Sequence, residues 1–159
     1  MGSNFDFQVK SDSFELIDED ISNLNVDAND KYIAIVNKLY IIDIFSIDSK
    51  KKLFSYKFYS KINHIHFHPK YCNVISVSLC NSSVHLCYIN IQKNIIEDKV
   101  EYLDSPNDIL FKTFFSPFKD GSTLATLLFS YIRIWNIKEY YCIYNIKINA
   151  ESSKCIIKW

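Results

Sequence analysis

A chain of 159 residues that is 48% apolar and 16% aromatic has enough material for one packed core, which excludes intrinsic disorder. Its 18 basic and 18 acidic side chains cancel and Arg133 is its one arginine, so no chain-wide field favours nucleic acid or an anionic membrane. Two glycines and three prolines leave no flexible linker and no Gly-rich loop to cradle a phosphate.

The five cysteines (Cys72, Cys80, Cys87, Cys142, Cys155) form no Cys-x-x-Cys pair, so they suggest neither a disulfide framework nor a zinc knuckle. They read as small buried hydrophobes in a reducing compartment, which points to the cytoplasm or nucleus. No segment reaches the roughly 18 apolar residues of a membrane span, and Met1 to Asp20 lacks a secretory apolar stretch. The bias toward Ile, Asn, Lys and Tyr is what an A/T-rich coding sequence leaves, and such drift erodes motifs built on Gly, Arg and Trp.

In chain order, residues 1–20 are expected to be a tail or, through Phe5–Val9, an outer closing strand. Their carboxylates Glu15, Asp18, Glu19 and Asp20 read as a solvated run, because the spacing of a calcium loop is absent. From residue 21 onward short Ile/Val/Tyr/Phe runs alternate with polar residues and stop at Asn, Asp, Ser or Pro clusters, the pattern of strands. Residues 21–60 carry Leu24–Val26, Tyr32–Val36 and Leu39–Ile44, followed by a lysine-rich loop tip at Lys50, Lys51 and Lys52. Residues 61–105 carry Ile62–Phe67 before Pro69, then Val74–Leu79 and Ser83–Ile89. Residues 106–150 carry Phe111–Phe115 before Pro117, then Thr123–Leu127, Tyr131–Ile137 and Tyr141–Ile148. Residues 151–159 end in Cys155–Trp159, which reads as the first strand of another copy.

These groups repeat. Val26, Phe67, Phe115 and Trp159 are equivalent, at spacings of 41, 48 and 44 residues, the size of a four-stranded propeller blade. The third copy places Phe115-Ser116-Pro117, Asp120-Gly121, Leu124-Ala125-Thr126 and Ile132-Arg133-Ile134-Trp135-Asn136-Ile137 in order, and in this it resembles the WD40 repeat family. Asn136 stands for the usual Asp after Trp135. Asn81 occupies the turn-aspartate position of the second copy, and Asp43, in Ile42-Asp43-Ile44, is the remnant of the dipeptide in the first. The resemblance implies an all-β fold: a WD40-type β-propeller of about three blades plus part of a fourth. Three units do not close a ring, so further blades, a partner or a second copy are expected to complete it. No Gly-His dipeptide precedes a blade and Phe129 replaces the turn aspartate of the third. The family's His-Ser/Thr-Asp-Trp network is therefore incomplete, and apolar packing is expected to hold the blades.

His64, His66 and His68 alternate along one strand and share a face, so they are the candidate metal ligands. Against that reading, residues two apart on a strand lie roughly 6.5–7 Å apart, too far for three to meet one tetrahedral ion easily, and structural histidines are favoured. No Gly-x-Ser-x-Gly elbow or catalytic-cysteine context occurs. Phe114, Phe115, Phe118, Tyr140, Tyr141 and Trp135 are expected in blade cores and not as base-stacking platforms. The resemblance implies a non-catalytic protein–protein interaction scaffold, without cofactor, in a multi-protein complex. The alternative is a component of an RNA-processing complex.

Overall fold

The computed structural model of the chain describes residues 21–103 and 108–148. Phe5–Val9, the acidic run before Ile21, Cys155 and the Cys155–Trp159 strand lie outside these residues. The described residues form three four-stranded antiparallel sheets. The first runs β1 (Ile21–Val26), β2 (Tyr32–Asn37), β3 (Ile41–Ser46), β4 (Lys51–Lys57). The second runs β5 (Ile62–Phe67), β6 (Val74–Leu79), β7 (Ser83–Asn90), β8 (Ile95–Leu103), and the third β9 (Leu110–Phe115), β10 (Thr123–Leu128), β11 (Tyr131–Asn136), β12 (Tyr141–Lys147). Each sheet follows chain order, and among the described residues no strand pairs between sheets.

The sheets stack through faces. Strand β1 packs on β5 and β5 on β9, while β4 touches β8, so the first strands gather on one side. This is the arrangement of propeller blades around an axis. The pairings make the three blades copies at residue level. Ala34 pairs with Ile44 and Val36 with Ile42; Ser76 pairs with Leu86 and Ser78 with Val84; Ala125 pairs with Ile134 and Leu127 with Ile132. Each last strand carries a register shift at one equivalent point, Ile44/Phe45, Leu86/Cys87 and Ile134/Trp135. Such an irregularity adds the local twist that bends an outer strand away.

Strand alternation decides which side chains meet. Ala34, Val36, Ile42 and Ile44 of the first blade form a wall against Ile65, Phe67, Ile75, Val77 and Cys87 of the second, all buried. The next junction joins Val74, Val84 and Leu86 to Leu110, Phe115, Leu124 and Leu128. It is more polar than the first: Ser76 Oγ and Thr113 Oγ1, both buried, lie 3.0 Å apart.

A first strand has no neighbour on its axial side, so its outward N–H and C=O groups need other partners. Side chains of the preceding blade supply them. Phe67 N–H donates to Asn25 Oδ1 (2.8 Å), and Phe115 N–H donates to His66 Nδ1 (3.1 Å). Asn25 and His66 are equivalent, as partners of Ala34 and Ser76, and so are Phe67 and Phe115, as partners of Ile75 and Leu124. Asn63 Nδ2 likewise donates to Leu110 O at 2.6 Å.

Ile75 is fully buried in the first junction, so Ile75→Ala is expected to lower unfolding stability by about 2–5 kcal/mol in a denaturant titration.

Candidate functional site

At one end of the sheets the first strands run out at Val26–Ala28, Phe67–Pro69 and Phe115–Pro117 and border an open groove of about 540 Å³. Beside it, between the second and third blades, lies a cleft of about 440 Å³ lined by Tyr71, Tyr88, Asp120, Lys138 and Tyr140. His68 borders both.

His68 is buried, and its Nδ1 accepts the N–H groups of Lys70 (3.1 Å) and Tyr71 (3.2 Å). Its ring lies between Tyr71 (4.8 Å) and Phe115 (4.9 Å) and also hydrogen-bonds the Gly121 backbone. Gly121 has φ 70°, and a Cβ there would lie 2.3 Å from His68 Nε2. The loop after β9 therefore docks on His68 only because this residue lacks a side chain. On the first blade, buried Asp27 accepts N–H from Asn29, Lys31 and Tyr32 and fixes the loop after β1. An aspartate directly after a strand was the sequence signal for it.

His64, His66 and His68 do share the face toward the third blade. The rings of His64 and His66 stack at 6.4 Å, and Phe114 meets them at 5.1 and 5.7 Å. Burial pushes His64 down to about 4, with His66 and Lys112 adding to the shift. Burial also lowers His66, with His68 contributing, and lowers His68, with Lys70 contributing. All three are neutral near pH 7. Nδ1 of His66 and of His68 is already committed to main-chain N–H groups, while His64 Nδ1 is buried without a hydrogen-bond partner. Among the described residues no group of three or more His, Cys, Asp or Glu is arranged to hold a metal ion.

The remaining motif residues do local structural work. Trp135 is half-buried against the second junction and donates Nε1–H to Thr126 Oγ1 (3.1 Å). Asn136 Oδ1 accepts the N–H groups of Lys138 and Glu139 and caps the turn before β12. Asp43 is not in the dipeptide position: it pairs with Ile35 in mid-strand, as Arg133 pairs with Thr126, whereas the counterpart of Asn136 is Ser46. The short Ile-Asp-Ile string matched the motif's letters but not its register. Buried Asp43 is held by Ser55 Oγ (2.6 Å), Lys52 Nζ (2.7 Å) and Asn37 Nδ2 (3.4 Å).

Asn81 does lie in a turn, and it opens a polar chain that the sequence reading missed. Its Oδ1 accepts Ser83 Oγ–H (2.7 Å), Ser83 Oγ lies 3.0 Å from His85 Nε2, and that nitrogen lies 3.1 Å from Tyr59 OH. The spacing 81, 83, 85 along β7 and its preceding turn was the available signal. Polar bonding thus supplements the apolar packing expected to hold the blades. Two other expectations need correction. Phe118, Tyr140 and Tyr141 are exposed, because they occupy loops or the uncovered outer strand, while Phe115 is core. Of the described cysteines, Cys87 is buried, Cys72 and Cys142 are half-buried and Cys80, in a turn, is exposed.

No family model matches the chain, and a comparison with curated proteins finds no match. Solved structures do match. The β-propeller domain of Cps50 (Swd1) from Myceliophteria thermophila superposes with a TM-score of 0.69 at 14% identity, over 82% of this chain and 42% of that one. This shows the β-propeller fold, and the chain spans less than half the length of that neighbour.

Gly121→Ala is expected to lower stability by about 2 kcal/mol or more, combining left-handed backbone strain with overlap on His68, as read by thermal unfolding. A buried neutral histidine binds its proton more weakly folded than unfolded, so its contribution is present above pH 6.5 and is lost as pH falls toward the folded value of about 4 for His64. Stability is therefore expected to fall between those limits, and His64→Leu to flatten that slope in denaturant titrations across pH.

Proposed function

We propose that the chain is a non-catalytic protein-interaction module of the WD-repeat kind. Its docking face is the end of the blades where the two grooves open. The observation that carries this reading is the set of aromatics held out by the loops there: Tyr71 is 50% exposed, Phe118 64% and Tyr140 60%. Aromatic side chains on a rigid scaffold are what anchors a protein interface, whereas exposing them has a solvation cost with no benefit to the fold.

The polar groups near this face support binding over chemistry. His66 and His68 are engaged by the main chain, and the one ion pair of the described residues beside the cleft, Lys70–Asp120 at 3.3 Å, is exposed. A neutral chain with one arginine favours protein partners over RNA. In this reading the protein is a cofactor-free subunit of a multi-protein assembly in the cytoplasm or nucleus. Among the described residues no helix is long and apolar enough to cross a membrane.

The test is affinity purification from the native source with the wild-type chain and with Tyr71→Ser/Phe118→Asp, checked for equal folding by circular dichroism. The wild type is expected to recover a defined protein set that the variant loses by at least tenfold. Equal recovery by both, or RNA retention on filters at low salt without protein partners, contradicts the proposal.

A further inference from the structure

The two junctions between the blades are held at equivalent positions by different chemistry. Asn23 and His64 pair with Val36 and Ser78, and Asn25 and His66 with Ala34 and Ser76, so two asparagines of β1 correspond to two histidines of β5. At the first junction Asn25 Oδ1 accepts Phe67 N–H (2.8 Å) and Asn23 Nδ2 donates to Asn63 O (3.5 Å). At the second, His66 Nδ1 accepts Phe115 N–H (3.1 Å) and His64 hydrogen-bonds the Thr113 backbone, while beyond the strand His68 hydrogen-bonds that of Gly121. An amide side chain does not titrate, but an imidazole that gains a proton becomes a donor at both nitrogens.

We propose that the second junction is an acid-sensitive clasp: protonation of His64 and His66 releases the third blade from the second while the first junction stays closed. Protonated His66 turns an N–H toward the N–H of Phe115 in place of a lone pair. Protonated His64 gains a second N–H at Nδ1, a buried atom that has no hydrogen-bond partner. The two rings stack at 6.4 Å, so two imidazolium charges repel across that gap. The surroundings do not offset these costs. Among the described residues, β9 places the like charge of Lys112 beside His64, and Lys70, Tyr71 and Asp120 lie by His68. Asp120 favours protonation of His68 and not of the clasp pair. Strands β1, β2 and β6 present Asn25, Ala34, Val36, Ser76 and Ser78 to β5, and none of these titrates. Burial acts in the same direction, holding His64 down to about 4 and lowering His66. The open seam therefore binds protons more tightly than the closed one, and acid favours opening from pH 6.5, the ordinary imidazole value, down toward about 4. The cleft beside the seam draws Tyr71 and Tyr88 from the second blade and Asp120 and Tyr140 from the third, so opening divides it.

The experiment is residue-resolved hydrogen exchange on the full chain between about pH 7.5 and about pH 5, with protection at Phe67 and Phe115 compared after correction for intrinsic exchange. The wild type is expected to lose about tenfold or more protection at Phe115 relative to Phe67 across that range. His64→Asn/His66→Asn installs the first junction's side chains in the second. That variant, checked for folding by circular dichroism, is expected to bring the two amides to the same response. Equal loss at both amides in the wild type overturns the proposal whatever the variant does, and so does a folded variant that keeps the wild-type difference. The clasp rests on strand geometry and not on the aromatic loop face, so either reading can fail alone.

Discussion

The constraint on which the structure depends is the open inner edge of each blade. A four-stranded sheet leaves backbone donors and acceptors unpaired on its first strand, and near the axis bulk water is poorly placed to satisfy them all. The chain answers with a side chain from the blade before. Asn25 Oδ1 receives Phe67 N–H, and His66 Nδ1 receives Phe115 N–H, at equivalent positions. Blade stacking is thereby fixed in register, since a one-residue slip would aim these side chains at the other face. Apolar burial supplies the bulk of the stabilisation, but being non-directional it does not choose that register.

The same logic explains the histidines. A row of three imidazoles on one strand face invites a metal reading, yet Nδ1 of His66 accepts main-chain N–H across the seam between blades and Nδ1 of His68 accepts it from the loop that follows its own strand. Burial keeps them neutral, which is what an acceptor role requires, because a protonated imidazole has no lone pair for Phe115 N–H. At the end of that seam His68 and Gly121 lock the loops that border both grooves. The edge-capping device and the candidate docking face are therefore physically continuous.

Much of the fold was legible in the sequence, because period-2 alternation and a recurring Phe-x-Pro after the first strand are direct imprints of blade packing. Phe67 and Phe115 sit where that repeat put them. Asp43 was misaligned because a two-letter motif carries no register, and only strand pairing tells Asp43 from Ser46. Phe118, Tyr140 and Tyr141 are expected in the core because base stacking needs basic neighbours, but the turn signals around Pro117 and Lys138 place them in or beside loops. The candidate site was the least legible part. Its grooves arise where loops from three blades meet, and contacts 42 and 49 residues apart, such as Asn25–Phe67 and His66–Phe115, leave no local pattern.

The most direct measurement of this account is residue-resolved hydrogen exchange at the amides of Phe67 and Phe115. Both are expected to be protected in the wild type, with Asn25→Ala releasing Phe67 alone and His66→Ala releasing Phe115 alone. Unprotected amides in the wild type, or protection indifferent to these two substitutions, would contradict it.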